Sequence, residues 1–323
     1  NKIIYFKINL CYYIFMELNE IEDNITSVSE FPIEVGDDIS YVGVESSIDS
    51  LDNIECVDED IDLNDSNVLQ VSSQEVIQSD EDVIVVNDWN ELQYYCTQTD
   101  KDYTLKLKEN TNFYPNDPND INYQIKIKNN VKIIGSEGSY IGDSSYSNVR
   151  EIHFVAIIVE DNEMYGSLNF ENVTFKWIKS VYSLKSMDGI FIQMGGKRNN
   201  IIKNCQFYNI TAQSGHSTIV YLKKGSAILD DCNFVNCTTN YGVVSVYDPN
   251  SVKSTNMIVN NCYFENNYAE TEPGCINNCG KLTVYNTTFV KNRSFWWAGA
   301  IHTHSSGNTT IYDSNFTDNL AGW

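Results

Sequence analysis

From about residue 168 onward the apolar and polar positions of the chain follow a recurring six-residue phrase rather than the 3.6-residue period of helices. The phrase is aliphatic-x-Asn/Asp-x-x-Phe: "FENVTF" (170–175), "IKNCQF" (202–207), "LDDCNF" (229–234), "VNNCYF" (259–264), "VYNTTF" (284–289) and "IYDSNF" (311–316). Only the first opens with an aromatic. The phenylalanines Phe175, Phe207, Phe234, Phe264, Phe289 and Phe316 stand 25 to 32 residues apart, which suits units with a fixed core and loops of variable length. A second element falls between them: Gly189-Ile-Phe-Ile, Ser217-Thr-Ile-Val, Gly242-Val-Val, Gly274-Cys-Ile and Gly299-Ala-Ile. Each unit thus predicts a glycine-led strand, a polar turn, a second strand into the aliphatic residue, an Asn/Asp bend, and a short strand ending in Phe.

Such units cannot bury their apolar faces alone, but stacked in parallel they form one continuous core. The expected architecture is a solenoid of strands. Equivalent residues then lie over one another about 4.8 Å apart, so the stack from Phe175 to Phe316 rises roughly 24 Å. In the column Asn172, Asn204, Asp231, Asn261, Asn286 and Asp313, Asn and Asp tolerate a left-handed backbone and bond their neighbours. Cys205, Cys232 and Cys262, each two residues before a Phe, read as a buried ladder of small side chains continued by Thr287 and Ser314, with disulfides between stacked neighbours as the alternative. Upstream, "YTLKLKEN" and "VKIIGSEGSYIG" read as less regular first coils. "DVIVVNDWNELQYYC" predicts a strand over Val83 to Val86 and then a short helix, capped by Asp88 and Glu91, with Trp89, Leu92 and Cys96 on the face that covers the open end of the stack.

Two motifs carry a family resemblance. Phe264-Glu-Asn-Asn267, Phe289-Val-Lys-Asn292 and Phe316-Thr-Asp-Asn319 match the Phe-x-x-Asn motif of the chlamydial polymorphic membrane proteins, and Gly299-Ala-Ile resembles their Gly-Gly-Ala-Ile motif with Ala298 in place of the first glycine. The chain is more similar to the Asn/Thr-rich adhesin-like surface proteins of methanogenic archaea, in which a leader and a low-complexity segment precede a cap resembling "VNDWNELQYY" and a right-handed parallel β-helix. The resemblance covers about Val83 to Trp323. It implies an all-β, right-handed parallel β-helix with a short N-terminal capping helix, exported to the cell surface, that binds a host or neighbouring cell through glycan or protein. It transfers no catalytic residue and no cofactor.

Charge sharpens the domain boundaries. The formal charge of −23 and the high acidic content argue against nucleic acid and anionic lipid as partners. No Lys or Arg occurs between Lys7 and Lys101. Residues 1–15 therefore read as an apolar stub, either a damaged signal peptide or translated sequence before Met16. Residues 16–82 read as an acidic, low-complexity, disordered linker. Residues 83–323 read as the repeat domain, expected to be truncated at the C-terminus because "FTDNLAGW" stops inside a unit, with any anchor lying beyond it. No apolar run reaches membrane-spanning length. Nine cysteines leave at least one unpaired within the monomer.

The repeat already accounts for several residues that would otherwise suggest chemistry. A polysaccharide lyase or hydrolase would draw on Asp230, Asp231 and Asp313 for Ca²⁺ and on Arg293 or Lys224 as base, but the Asn/Asp column accounts for Asp231 and Asp313 as bends. A purely structural wall component is the third reading. Phe295-Trp296-Trp297 places at least one flat ring near the surface of a connecting loop, where Trp296 and Trp297 are candidates for binding sugars or protein. His302 and His304 share one face of a strand, with Cys275 and Cys279 one repeat earlier. That spacing is no recognised zinc motif, so the two histidines read as surface residues beside the tryptophans and no metal is expected. Among the nine Asn-x-Ser/Thr sequons, Asn209, Asn236, Asn292, Asn308 and Asn315 are expected on loops, and Asn172 and Asn286 in a buried column.

Overall fold

Every strand pairing among the described residues is parallel, and the strands build three sheets of nine, thirteen and seven members. The computed structural model describes residues 82–159, 166–181, 190–196, 199–213, 215–246 and 255–322. The stub, nearly all of the acidic segment, Gly189 and Trp323 lie outside the described residues.

One coil shows the plan. Ile276–Asn278 lies in the seven-stranded sheet, Lys281–Tyr285 in the nine-stranded sheet, and Thr288–Val290 followed by Arg293–Ser294 in the thirteen-stranded sheet. The chain then loops to Ile301–Thr303, which pairs on Ile276–Asn278 one level along. The architecture is a parallel β-helix, as the repeat predicted. The thirteen-stranded sheet has the most members because its later coils split in two at a left-handed residue, whereas Thr174–Val181 and Gln206–Gln213 run unbroken.

The phenylalanine column is in register throughout. Successive rings from Phe175 to Phe316 stack nearly parallel, within 10°. Their centroids are 4.4 to 4.9 Å apart, the strand spacing itself. The first five rings are fully buried; Phe316, in the last described coil, is exposed. The helix Trp89–Cys96 forms as expected. Asp88 accepts a bond from the Glu91 amide at 2.9 Å, Glu91 accepts from the Asn87 amide, and Trp89, Leu92 and Cys96 are buried. Trp89 Nε1 donates to the Tyr123 carbonyl at 2.8 Å, fixing the helix against the first coils.

The Asn/Asp column differs from the expectation in one respect. All six residues, Asn172, Asn204, Asp231, Asn261, Asn286 and Asp313, have positive φ between 46° and 58°, the left-handed bend. Their side chains, however, point outward and are exposed, because a left-handed residue at a convex corner turns its Cβ away from the core. The amides still pair along the stack: Asn204 Nδ2 donates to Asn172 Oδ1, and Asn286 Nδ2 to Asn261 Oδ1 at 2.8 Å. Asn172 and Asn286 are thus open to modification on steric grounds, and among the described residues the buried sequon is Asn292, at 0 % exposure.

That burial reveals a second asparagine ladder, three residues after each of the last three phenylalanines: Asn267, Asn292 and Asn319. Asn267 and Asn292 are buried, and each Nδ2 donates to the carbonyl of the Phe one level back, Phe234 and Phe264, at 2.9 Å. Each Oδ1 accepts the backbone N–H of the preceding coil: Cys237 N to Asn267, and Asn267 N to Asn292, both at 3.0 Å. The residue before each, Asn266 and Lys291, is the second left-handed position of its coil. The Phe-x-x-Asn motif is therefore a device for satisfying backbone groups where the strand breaks.

The cysteine column is the buried ladder rather than a set of disulfides. Cys205, Cys232 and Cys262 are free and buried, and each thiol points at the carbonyl two residues earlier, at 3.2 to 3.3 Å. Thr287 and Ser314 place a hydroxyl on the equivalent carbonyl at 2.7 Å. What the position requires is a small donor, which explains why Cys, Thr and Ser interchange there. Burial pushes the Cys237 thiol up to about 12 and raises Cys205, Cys262 and Cys275 as well; hydrogen bonds from the Cys205 and Cys262 thiols lower Cys232 instead, so its protection rests on full burial, which keeps reagent out. In the folded protein these thiols are expected to resist iodoacetamide at pH 7.5 for hours and to react within minutes in denaturant. Mass spectrometry of native protein showing rapid labelling of Cys232 or Cys262 would place the column at the surface.

Candidate binding and metal-ligating site

The loop between Arg293–Ser294 and Ile301–Thr303 is organised by one hydroxyl. Ser294 Oγ, buried, donates to the Glu272 carbonyl of the previous coil at 2.6 Å and accepts the N–H groups of Trp296 and Trp297, both at 3.2 Å. Close approach of the loops demands glycine at two places: a Cβ on Gly274 would sit 2.4 Å from the Gly299 carbonyl oxygen, and one on Gly299 2.4 Å from the Leu320 nitrogen. The glycine-led strand read from the sequence is thus a steric requirement of stacking at Gly274 and Gly299, whereas the unit led by Ser217 shows that the position is not always glycine.

Within this frame the three aromatics separate. Phe295 and Trp296 are 55 % and 51 % exposed and meet edge to face at 5.2 Å. Trp297 folds back and stacks on the His302 ring, with centroids 5.1 Å apart and planes within 12°. The sequence required one ring at the surface and left open which; Trp296 is the outward ring of the two tryptophans.

His302 and His304 lie on one face of their strand, as the alternation of side chains dictates, while Ile301 packs against the core. Their rings do not stand free in solvent as expected. They lean together, centroids 4.4 Å apart, over the carboxylate of Glu272. Glu272 Oε2 is 3.0 Å from His302 Nδ1 and 3.7 Å from His304 Nε2, with its side chain only 10 % exposed. His304 Nε2 also meets Asn277 Oδ1 at 2.7 Å, and Asn277, paired in register with His302, is buried. Burial lowers the His304 pKa, the neighbouring His302 lowers it further, and Glu272 opposes both. Burial also pushes the Cys279 thiol up to about 11. Glu272, His302 and His304 form the one group of three or more His, Cys, Asp or Glu ligand atoms lying within 4.8 Å of one another among the described residues; Cys275 and Cys279 stand outside it. Sequence reasoning missed Glu272 because it sits in a loop thirty residues from His302, outside any column of the repeat.

The residues considered for lyase chemistry are not gathered. Asp230 faces outward, 4.0 Å from Lys203 and hydrogen-bonded by Asn260 at 2.8 Å. Asp231 and Asp313 occupy the exposed corner column with Asn261 and Asn286 between them, and Arg293 lies beyond the second bend of its coil.

Residues 132–316 match the family described as "Right handed beta helix region". The chain belongs to this right-handed β-helix family. The match takes in every complete phenylalanine-led unit, both asparagine ladders up to Asp313, and the aromatic–histidine patch; the cap and first coil precede it. No curated protein matches the β-helix. Among its described residues no helix is long and apolar enough to cross a membrane.

Proposed function

We propose that this β-helix is a non-enzymatic, surface-displayed or secreted binding protein that engages a glycan through the Phe295–Trp296 loop. The observation that carries the reading is the pair of exposed rings, packed edge to face, on a loop whose backbone the buried Ser294 hydroxyl anchors at Trp296 and Trp297. Flat, pre-positioned aromatics offer a stacking face to sugar rings at little entropic cost. The similarity to archaeal adhesin-like surface proteins supports display at the cell exterior, and the strong acidity disfavours nucleic acid as the target. The rigid coils serve as a scaffold, and function is lodged in loops that vary in length.

A glycan array probed with the labelled protein tests this reading. Binding to at least one neutral glycan class is expected, with the F295A/W296A double variant losing tenfold or more of the affinity while retaining the parent's circular dichroism. Binding that survives the double variant unchanged would move the contact surface elsewhere on the β-helix.

A further inference from the structure

We propose that Glu272, His302 and His304 form a site for a divalent transition-metal ion of the zinc, nickel or copper class, which clamps one coil to the next. The inference stands apart from glycan binding and rests on geometry.

Three donors converge from two levels of the stack: the carboxylate from the loop of one coil, and both imidazoles from the strand above. Two ligands held about 2.0–2.1 Å from a tetrahedral zinc lie about 3.4 Å from each other. The separations here, 3.0 Å for Glu272 Oε2 to His302 Nδ1 and 3.7 Å to His304 Nε2, bracket that value, so an ion fits with small rotations of the side chains. Two imidazoles and one carboxylate suit borderline cations and disfavour Ca²⁺ and Mg²⁺, which seek all-oxygen shells. A carboxylate 10 % exposed with two histidines as its close polar neighbours gains most from a cation at that spot.

The surroundings supply what a ligand set needs around it. Asn277 Oδ1, 2.7 Å from His304 Nε2, is placed to become a fourth donor or to hold a water in that position. Trp297 stacks on His302 and fixes the plane of the ring. On binding, His302 carries its ring proton on Nε2 instead of Nδ1, and His304, whose Nε2 proton is held by Asn277 Oδ1, carries its own on Nδ1, so that the Nδ1 and Nε2 lone pairs beside Glu272 are freed; no redox step is involved.

Calorimetric titration of the purified, chelator-treated protein with ZnCl₂ at pH 7.5, with CaCl₂ and MgCl₂ as comparisons, tests the proposal. One equivalent of zinc is expected to bind with a dissociation constant of about 10 μM or tighter, and saturating zinc should raise the thermal midpoint by a few degrees. NiCl₂ or CuCl₂ should quench part of the tryptophan emission through Trp297. His304→Ala and Glu272→Gln should each weaken zinc binding at least thirtyfold, whereas His153→Ala, remote from the cluster, should not. Circular dichroism separates loss of the site from loss of the fold, and Trp297→Phe, which keeps all three donors, should retain zinc binding but lose most of the quench. Absence of zinc binding at 100 μM, or binding unaltered in His304→Ala, would overturn the assignment.

Discussion

Phe264→Asp is expected to abolish cooperative folding of the β-helix. Phe264 is fully buried and sandwiched between Phe234 and Phe289 at 4.8 and 4.9 Å. Removing its ring alone costs about 3–5 kcal/mol, and the replacement places an unpaired carboxylate in an apolar column, where it must remain buried and charged or take up a proton against its normal equilibrium. Together these approach the entire stability of an ordinary domain, about 5–15 kcal/mol. Coils in a solenoid are stabilised mainly by their neighbours, so a failed central level uncouples the stack on either side. Phe264→Leu, which keeps the column apolar, should lose only about 1–3 kcal/mol. Asn261→Asp adds the same charge three residues away at the exposed corner, where Asp231 and Asp313 already stand, and should shift stability by no more than about 0.5 kcal/mol. A thermal melt of Phe264→Asp that overlays the parent's would remove this residue from the core.

The contrast between positions 261 and 264 shows what sequence could and could not reveal. The Phe column, the cysteine ladder and the left-handed corners were readable because stacking forces equivalent residues into identical environments, so that each column repeats a residue type. The direction of the corner side chains was not. The repeat of Asn and Asp reports a backbone conformation, and that conformation is compatible with a side chain facing inward or outward until the curvature of the corner is known. The motif Phe-x-x-Asn was visible as a pattern, but its role as a cap for broken strands needed the partner carbonyls of Phe234 and Phe264.

The functional patch was half visible for the same reason. Trp296, Trp297, His302 and His304 attract notice by residue type and by adjacency. Glu272 carries no such signal: it comes from an acidic chain, in a loop of unrepeated sequence, and it reaches the histidines only because consecutive coils lie one strand spacing apart. Loops escape the columns, and loops are where a solenoid keeps its specific chemistry.

Asn292→Leu gives the second large effect, and it acts chiefly through hydrogen bonding. Leu keeps the branching and heavy-atom count of Asn, so no cavity opens, and its bulkier methyls add a packing cost on top of the lost bonds. What it removes is an amide with every polar atom employed: Oδ1 accepts from the Asn267 backbone N–H and from Asn267 Nδ2, and Nδ2 donates to the Phe264 carbonyl and to Asn319 Oδ1. The substitution strands two buried backbone groups, the N–H of Asn267 and the carbonyl of Phe264, at about 1–3 kcal/mol each, for a total of about 2–6 kcal/mol. Upstream the same column holds Ile178, Ile210 and Cys237: at the two isoleucines the strands run unbroken past the left-handed residue, and at Cys237, where the strand breaks, the thiol faces the Phe207 carbonyl at 3.7 Å in place of an amide. The equivalent change at Asn319, in the half-buried last described coil, should have a smaller effect because water reaches the groups it frees. Denaturant unfolding of the two variants is therefore expected to rank Asn292→Leu well below Asn319→Leu in midpoint, with native-state amide exchange accelerated at Asn267. Equal midpoints would show that the asparagine ladder follows the fold without supporting it.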